Sequence, residues 1–227
     1  MVGRAGLSAD VLLRAVEDAG GETPRNHLAT GNVSFSASPG ELDAITAQLE
    51  RTIAAVIGRR ENVFVRSIDS LAIEVGSEPF APVMADDVYE RCVTYFRIDA
   101  PTTLELPLRT PRGDAVLFAS GSGQVLSITR LIAGRPGQPG RVVESAMGVR
   151  ATTRNWNTIE RIVRLESERH QGLCTAAPGE RRPVTRRARE PARLRRGSAR
   201  PRHPDYRWCL PMLTERPAYV RCCSSSL

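Results

Sequence analysis

Lysine is absent from this chain. All 32 basic residues among its 227 are arginine, which, beside abundant alanine, glycine and proline, points to a GC-rich coding sequence more than to a selected chemistry. Aromatic residues make up only 5%, so a core must be chiefly aliphatic. Cysteine is sparse: Cys174, Cys209, Cys222 and Cys223 crowd the last quarter of the chain, and Cys92 stands alone before them. No pair of them has zinc-ligand spacing and the three histidines are scattered, so neither a metal nor a cofactor is expected. No apolar run reaches the roughly 18 residues of a membrane-crossing helix, and no signal-peptide pattern opens the chain. These absences predict a reduced, cytoplasmic protein with no membrane partner. They carry nothing about oligomeric state.

The formal net charge of +7 resembles a nucleic-acid signal until it is divided along the chain. Residues 1–166 hold 18 Arg against 20 Asp plus Glu, a net −2, whereas residues 167–227 hold 14 Arg against 5 acids, a net +9. The basic excess sits wholly in the tail, and the body has no electrostatic footprint for a polyanion.

Taken in order, the chain reads as a mixed α+β body. Ser8 is placed to cap a helix whose apolar stripe is Leu7, Val11, Leu12, Ala15, Val16 and Ala19, ended by Gly20-Gly21. Asn26–Ser36 reads as a short hairpin: Val33 and Phe35 alternate with serines, and Thr30-Gly31-Asn32 suits a tight reversal. Ser38-Pro39-Gly40-Glu41 has the form of a capping box with proline at the first helical position. Leu42, Ile45, Leu49, Ile53, Val56 and Ile57 then recur at helical spacing as far as Gly58. Asn62–Arg66 reads as a strand and Ile68–Val75 as a short helix.

Helix, strand, strand, helix, strand becomes βαββαβ, an α/β plait of the ferredoxin-like kind, when one strand is put in front. A looser echo follows: a strand at Cys92–Ile98, a hairpin of Ala115–Ser120 and Gln124–Thr129 about Gly121-Ser122-Gly123, a helix near Arg141–Met147, and a last helix over Asn157–Glu166. Ala100–Arg112, with three prolines, has no helical period. From Ser167 the periodicity stops, and an Arg/Pro-rich composition predicts no packed structure. The expected division is 1–78, 79–166 and a disordered tail at 167–227.

Thr30-Gly31-Asn32-Val33-Ser34-Phe35, Val63-Phe64-Val65-Arg66-Ser67 and above all Ala151-Thr152-Thr153-Arg154-Asn155-Trp156-Asn157-Thr158 resemble the family called domain of unknown function 1697, over about residues 2–166. The resemblance implies a small bacterial protein of two plait-like subdomains with antiparallel sheets and no established activity. It also implies a hydrophobic first strand running into a glycine-rich loop, of which only Val2-Gly3-Arg4 matches. The first plait therefore reads as missing its N-terminal strand, a central one, and the tail as added coding sequence.

The run Arg154–Thr158 is the densest polar constellation. In the binding reading, Arg154, the amides of Asn155 and Asn157, Thr158 and the first N–H groups of the last helix hold a small anionic or nucleotide-like ligand in a cleft between subdomains. In the structural reading Thr153 or Asn155 caps that helix, Trp156 fills core and Arg154 pairs with an acid. Asn32 either serves the turn or points into the same cleft, and Arg66 is either a surface or ion-pair arginine or a lining residue. Cys92 reads as a buried small hydrophobe, and Gly121-Ser122-Gly123 as a turn without the length or lysine of a phosphate loop. No nucleophile, acid or base is identifiable, so a binding protein is favoured. The alternatives are an enzyme of unknown reaction on a small anionic substrate, and nucleic-acid binding through the arginine-rich tail.

Overall fold

A computed structural model describes residues 6–27, 31–83, 86–97, 104–121, 123–175 and 207–211. The first helix, α1 (Ala9–Asp18), begins where Ser8 Oγ accepts from the Val11 N–H at 3.2 Å. Its stripe of Leu12, Ala15 and Val16 is buried. The hairpin follows as β1 (Glu22–His27) and β2 (Asn32–Ser36), paired antiparallel with His27 opposite Asn32. Pro39–Glu41 forms a 3-10 turn whose Glu41 carboxylate accepts from the Ser38 N–H at 3.3 Å. It leads into α2 (Leu42–Ile57), ended by Gly58 at φ 74°. Leu12, Val16, Val33, Phe35, Ile45, Leu49 and Ile53 close over one face of this sheet as an aliphatic core with one ring in it.

The expected strand at Asn62–Arg66 is corrected to a two-residue β3 (Arg66–Ser67). Val63 and Phe64 are nonetheless buried, in different cores. Val63 forms an isolated bridge, but the pairing does not continue through Phe64, whose apolar side chain serves packing. Ser67 then caps α3 (Ile68–Gly76) through its side chain, which accepts from the Ser70 N–H.

The second sheet contains β4 (Glu90–Phe96), β5 (Leu108–Arg109), β6 (Ala115–Gly121) and β7 (Gln124–Thr129). A small ribbon of β8 (Leu131–Ile132) and β9 (Arg135–Pro136) leads to α4 (Pro139–Met147). The sheet is completed by β10 (Ala151–Asn155), which gives the order β10-β4-β7-β6-β5 with every neighbour antiparallel. Its first four strands have the plait order. One face packs on α4 through Phe96, Leu117, Val125, Val143 and Ala151. The other carries Val93, Tyr95, Leu126 and Ile128 against α3 and the last helix, α5 (Trp156–Thr175). The fold is α+β with antiparallel sheets, and among the described residues no helix is long and apolar enough to cross a membrane.

Two further expectations are corrected. Ala151–Asn155, read as the approach to a helix, is a full strand against β4; alternation of its side chains between two packed faces outweighs its polarity. The expectation of disorder from Ser167 fails at two places. Helix α5 continues to Thr175, and β11 (Arg207–Pro211) lies between β2 and β3, so the first sheet has the order β1-β2-β11-β3. The rest of the tail, with Val2-Gly3-Arg4, falls outside the described residues.

Candidate functional site

The site is built where β2 of the first sheet, β10 of the second and α5 meet. On β2, Val33 and Phe35 point into the aliphatic core, so the period of two turns Asn32 and Ser34 to the other face. Both are buried. On β10, Arg154 stands opposite Val93 and shares its face. Its Nε donates to Asn32 Oδ1 at 3.1 Å, across 122 residues of sequence. Its Nη1 donates to Thr152 Oγ1 at 2.9 Å and to the Thr153 carbonyl at 2.8 Å. The guanidinium is thus oriented by its own strand and aimed at the other sheet. The acceptors just named are an amide oxygen, a hydroxyl and a backbone carbonyl.

Two residues along the same face of β4, Arg66 lies over the Tyr95 ring, 5.0 Å from its centroid. Arg66 Nη2 donates to the Gly123 carbonyl at 2.8 Å and Nη1 to the Val65 carbonyl at 3.1 Å. Burial lowers the Arg66 pKa from its usual range, with Tyr95 and Glu74 acting the other way. Burial raises that of Glu74, against a hydrogen bond from Gln124 and the charge of Arg66. Gly123 has φ 74°, and a Cβ there would stand 2.7 Å from Arg66 Nη2 and 3.0 Å from the Phe96 carbonyl oxygen. The glycine read as a simple turn residue therefore also makes room for Arg66, and Arg66, read from sequence as a surface or ion-pair arginine or a lining residue, reaches from β3 to the second sheet.

The remaining named residues divide. Asn155 Oδ1 accepts from the Asn157 N–H at 2.9 Å, so Asn155 serves the start of α5 as the structural reading had it. Asn157 is exposed and Thr158 half-buried on the first turn. Trp156 packs in the core, its ring 5.1 Å from that of Phe80. A surface hollow of about 290 Å³ is lined by Glu144, Gly148, Val149 and Arg150, at the opposite end of β10 from Arg154. Cys92 is buried.

One cluster escaped sequence reading. His27 Nε2 lies 2.8 Å from Ser34 Oγ, Ser34 Oγ donates to Glu166 Oε1 at 2.9 Å, and His27 Nε2 stands 3.2 Å from the same carboxylate oxygen. Arg169 Nη1 reaches that oxygen at 3.6 Å. The signal was present: Ile159, Ile162 and Val163 set a buried stripe on α5, and Glu166 continues it at i+3 from Val163. A carboxylate on an apolar stripe needs a partner on the facing element. The triangle is not a hydrolase triad. Glu166 meets the serine and Nε2, where a triad acid would orient Nδ1, and Ser34 is only 2% exposed. Among the described residues no group of three or more His, Cys, Asp or Glu converges as a metal site would.

Residues 1–119 match the family described as protein of unknown function (DUF1697). The chain belongs to that family. The DUF1697 match covers β1, β2 and β3 of the first sheet, with β4, β5 and most of β6, and stops before β11 and the Arg154 run. Asn32 and Arg66 are thus inside the matched segment, and Arg154 and Glu166, which meet β2, come from beyond it. No curated protein and no solved structure matches the chain.

Proposed function

We propose that this DUF1697 protein is a binding protein for a small anionic, nucleotide-like ligand, held where β2, β10 and the first turn of α5 converge. The reading takes residues 1–78 and 79–166 as two lobes and a cytoplasmic setting, and assigns contact to Arg154, Asn32, Asn155, Asn157, Thr158 and Arg66. The observation that carries it is the Arg154–Asn32 bond, which joins residues 122 positions apart at the start of a 20-residue helix. The first N–H groups of such a helix favour negative charge, and a guanidinium beside them adds a planar donor. Asn157 and Thr158, on the accessible side of that turn, are the residues through which a ligand would enter.

The test is a thermal-shift screen of phosphates, nucleotides and carboxylates on the full chain, repeated with Asn157→Ala. A ligand that raises Tm in the unmodified protein and loses that effect in Asn157→Ala supports the reading. Failure of every anion to shift Tm, or a shift indifferent to Asn157, refutes it. An enzyme reading would rest on Ser34 as nucleophile, and the burial of that hydroxyl between His27 and Glu166 counts against it.

A further inference from the structure

The two sheets of this molecule can be compared with each other. In the second, β4 is the central strand, antiparallel to β7 on one side and β10 on the other. In the first, the equivalent place between β2 and β3 is held by β11, again antiparallel to both neighbours. Thus 207–211 does for the first sheet what β4 does for the second. The chain order differs: β4 precedes its hairpin, whereas β11 comes last, 31 residues after the end of α5.

Backbone pairing defines this place. Trp208 is flanked by Phe35 and Ser67, Cys209 by Ser34 and Arg66, and Pro211 ends the ladder opposite Asn32. In the sheet, β3 has β11 as its neighbour, and β2 has β1 on one side and β11 on the other. Buried β2 groups at 32–35 need ladder partners on both sides. Main-chain pairing is met by any extended segment of the right length and direction. A connection of 31 residues spans up to about 100 Å when extended, so it tethers the segment without forcing it into place.

We propose that the gap between β2 and β3 is a strand-receiving site, that its occupant is residues 207–211 of this chain, and that the seated strand is exchangeable for the same segment supplied in trans. Because Asn32 and Ser34 lie opposite Pro211 and Cys209, seating of the tail also completes the sheet that carries the polar seam. The arginine-rich connection is then a tether, and withdrawal of 207–211 uncovers two strand edges at once.

Hydrogen exchange on the full chain tests this. In the unmodified protein, amides of 207–211 and 32–36 exchange at least about 100-fold more slowly than in an unstructured peptide. Cys209→Pro removes an N–H at a position paired on both sides, and releases protection at 32–36 and 66–67 while 90–96 and 124–129 keep theirs. A peptide spanning Asp205–Leu213, added in excess, restores protection at 32–36. Unchanged protection at 32–36 in Cys209→Pro, or no recovery with peptide, overturns the proposal. If the variant loses protection throughout, the unmodified protein decides alone: slow exchange at 207–211 sustains the proposal and free-peptide rates there overturn it.

Discussion

Replacing Asn32 with alanine removes the acceptor that Arg154 Nε uses across the two sheets. A hydrogen bond to a charged group contributes about 1.5–3 kcal/mol, and its loss leaves a buried donor to be desolvated without return. The side chain removed is small, so packing loss adds little, and the expected cost is about 2–3 kcal/mol. For a body of this size, 1 kcal/mol moves Tm by roughly 2–4 °C, so Asn32→Ala should lower Tm by about 5–10 °C. Arg154→Ala costs more, since it also removes the donors to Thr152 and the Thr153 carbonyl. The two changes share one contact, so the double variant should be less destabilised than the sum by about 1–2 kcal/mol. Urea unfolding of the four proteins, with equal slopes, measures that coupling. Additivity within about 0.5 kcal/mol would mean the two side chains do not stabilise one another, and the reasoning would fall.

Two other outcomes follow from particular atoms. Gly123→Ala combines a positive φ with a Cβ 2.7 Å from Arg66 Nη2, whereas Gly113→Ala has φ 69° and nothing within 4 Å. The second should cost about 1 kcal/mol and the first clearly more, about 2–3 kcal/mol; equal urea midpoints would show that Arg66 does not occupy that space. For Glu74, burial raises the folded pKa above its unfolded value. The protonated form therefore favours folding, a contribution present below the unfolded pKa and lost as pH rises through the folded one. Glu74→Gln should remove that decline from the stability–pH curve as pH rises above the ordinary carboxylate range, and an unchanged curve would contradict the assignment.

Much of the fold was legible because local signals agreed with one another. Ser8, the Ser38–Glu41 box and Gly58 are caps whose chemistry works within one turn, and the helices they bound formed where the residues indicated. The alternation of Val33 and Phe35 with serines placed β2, and Asn32 with it. What the sequence hid was long-range. Ala151–Asn155 is polar enough to read as loop, and its strand character depends on β4, more than 50 residues earlier. The chemistry of Ser34 becomes visible only when Glu166, 132 residues later, is laid against it. Residues 207–211 carry no apolar alternation long enough to announce a strand; their place comes from the ladder edges of β2 and β3. The setting of Arg66 is long-range in the same way, since Tyr95 and the Gly123 carbonyl reach it from the other sheet.

The most direct measurement observes the guanidinium that joins the sheets. In proton–nitrogen spectra of the full chain, the Nε–H signal assigned to Arg154 by its disappearance in Arg154→Lys should exchange slowly with water, and should speed up and shift in Asn32→Ala. An Arg154 Nε–H that exchanges as fast as those of exposed arginines, and ignores the loss of Asn32, would contradict the buried contact between β10 and β2.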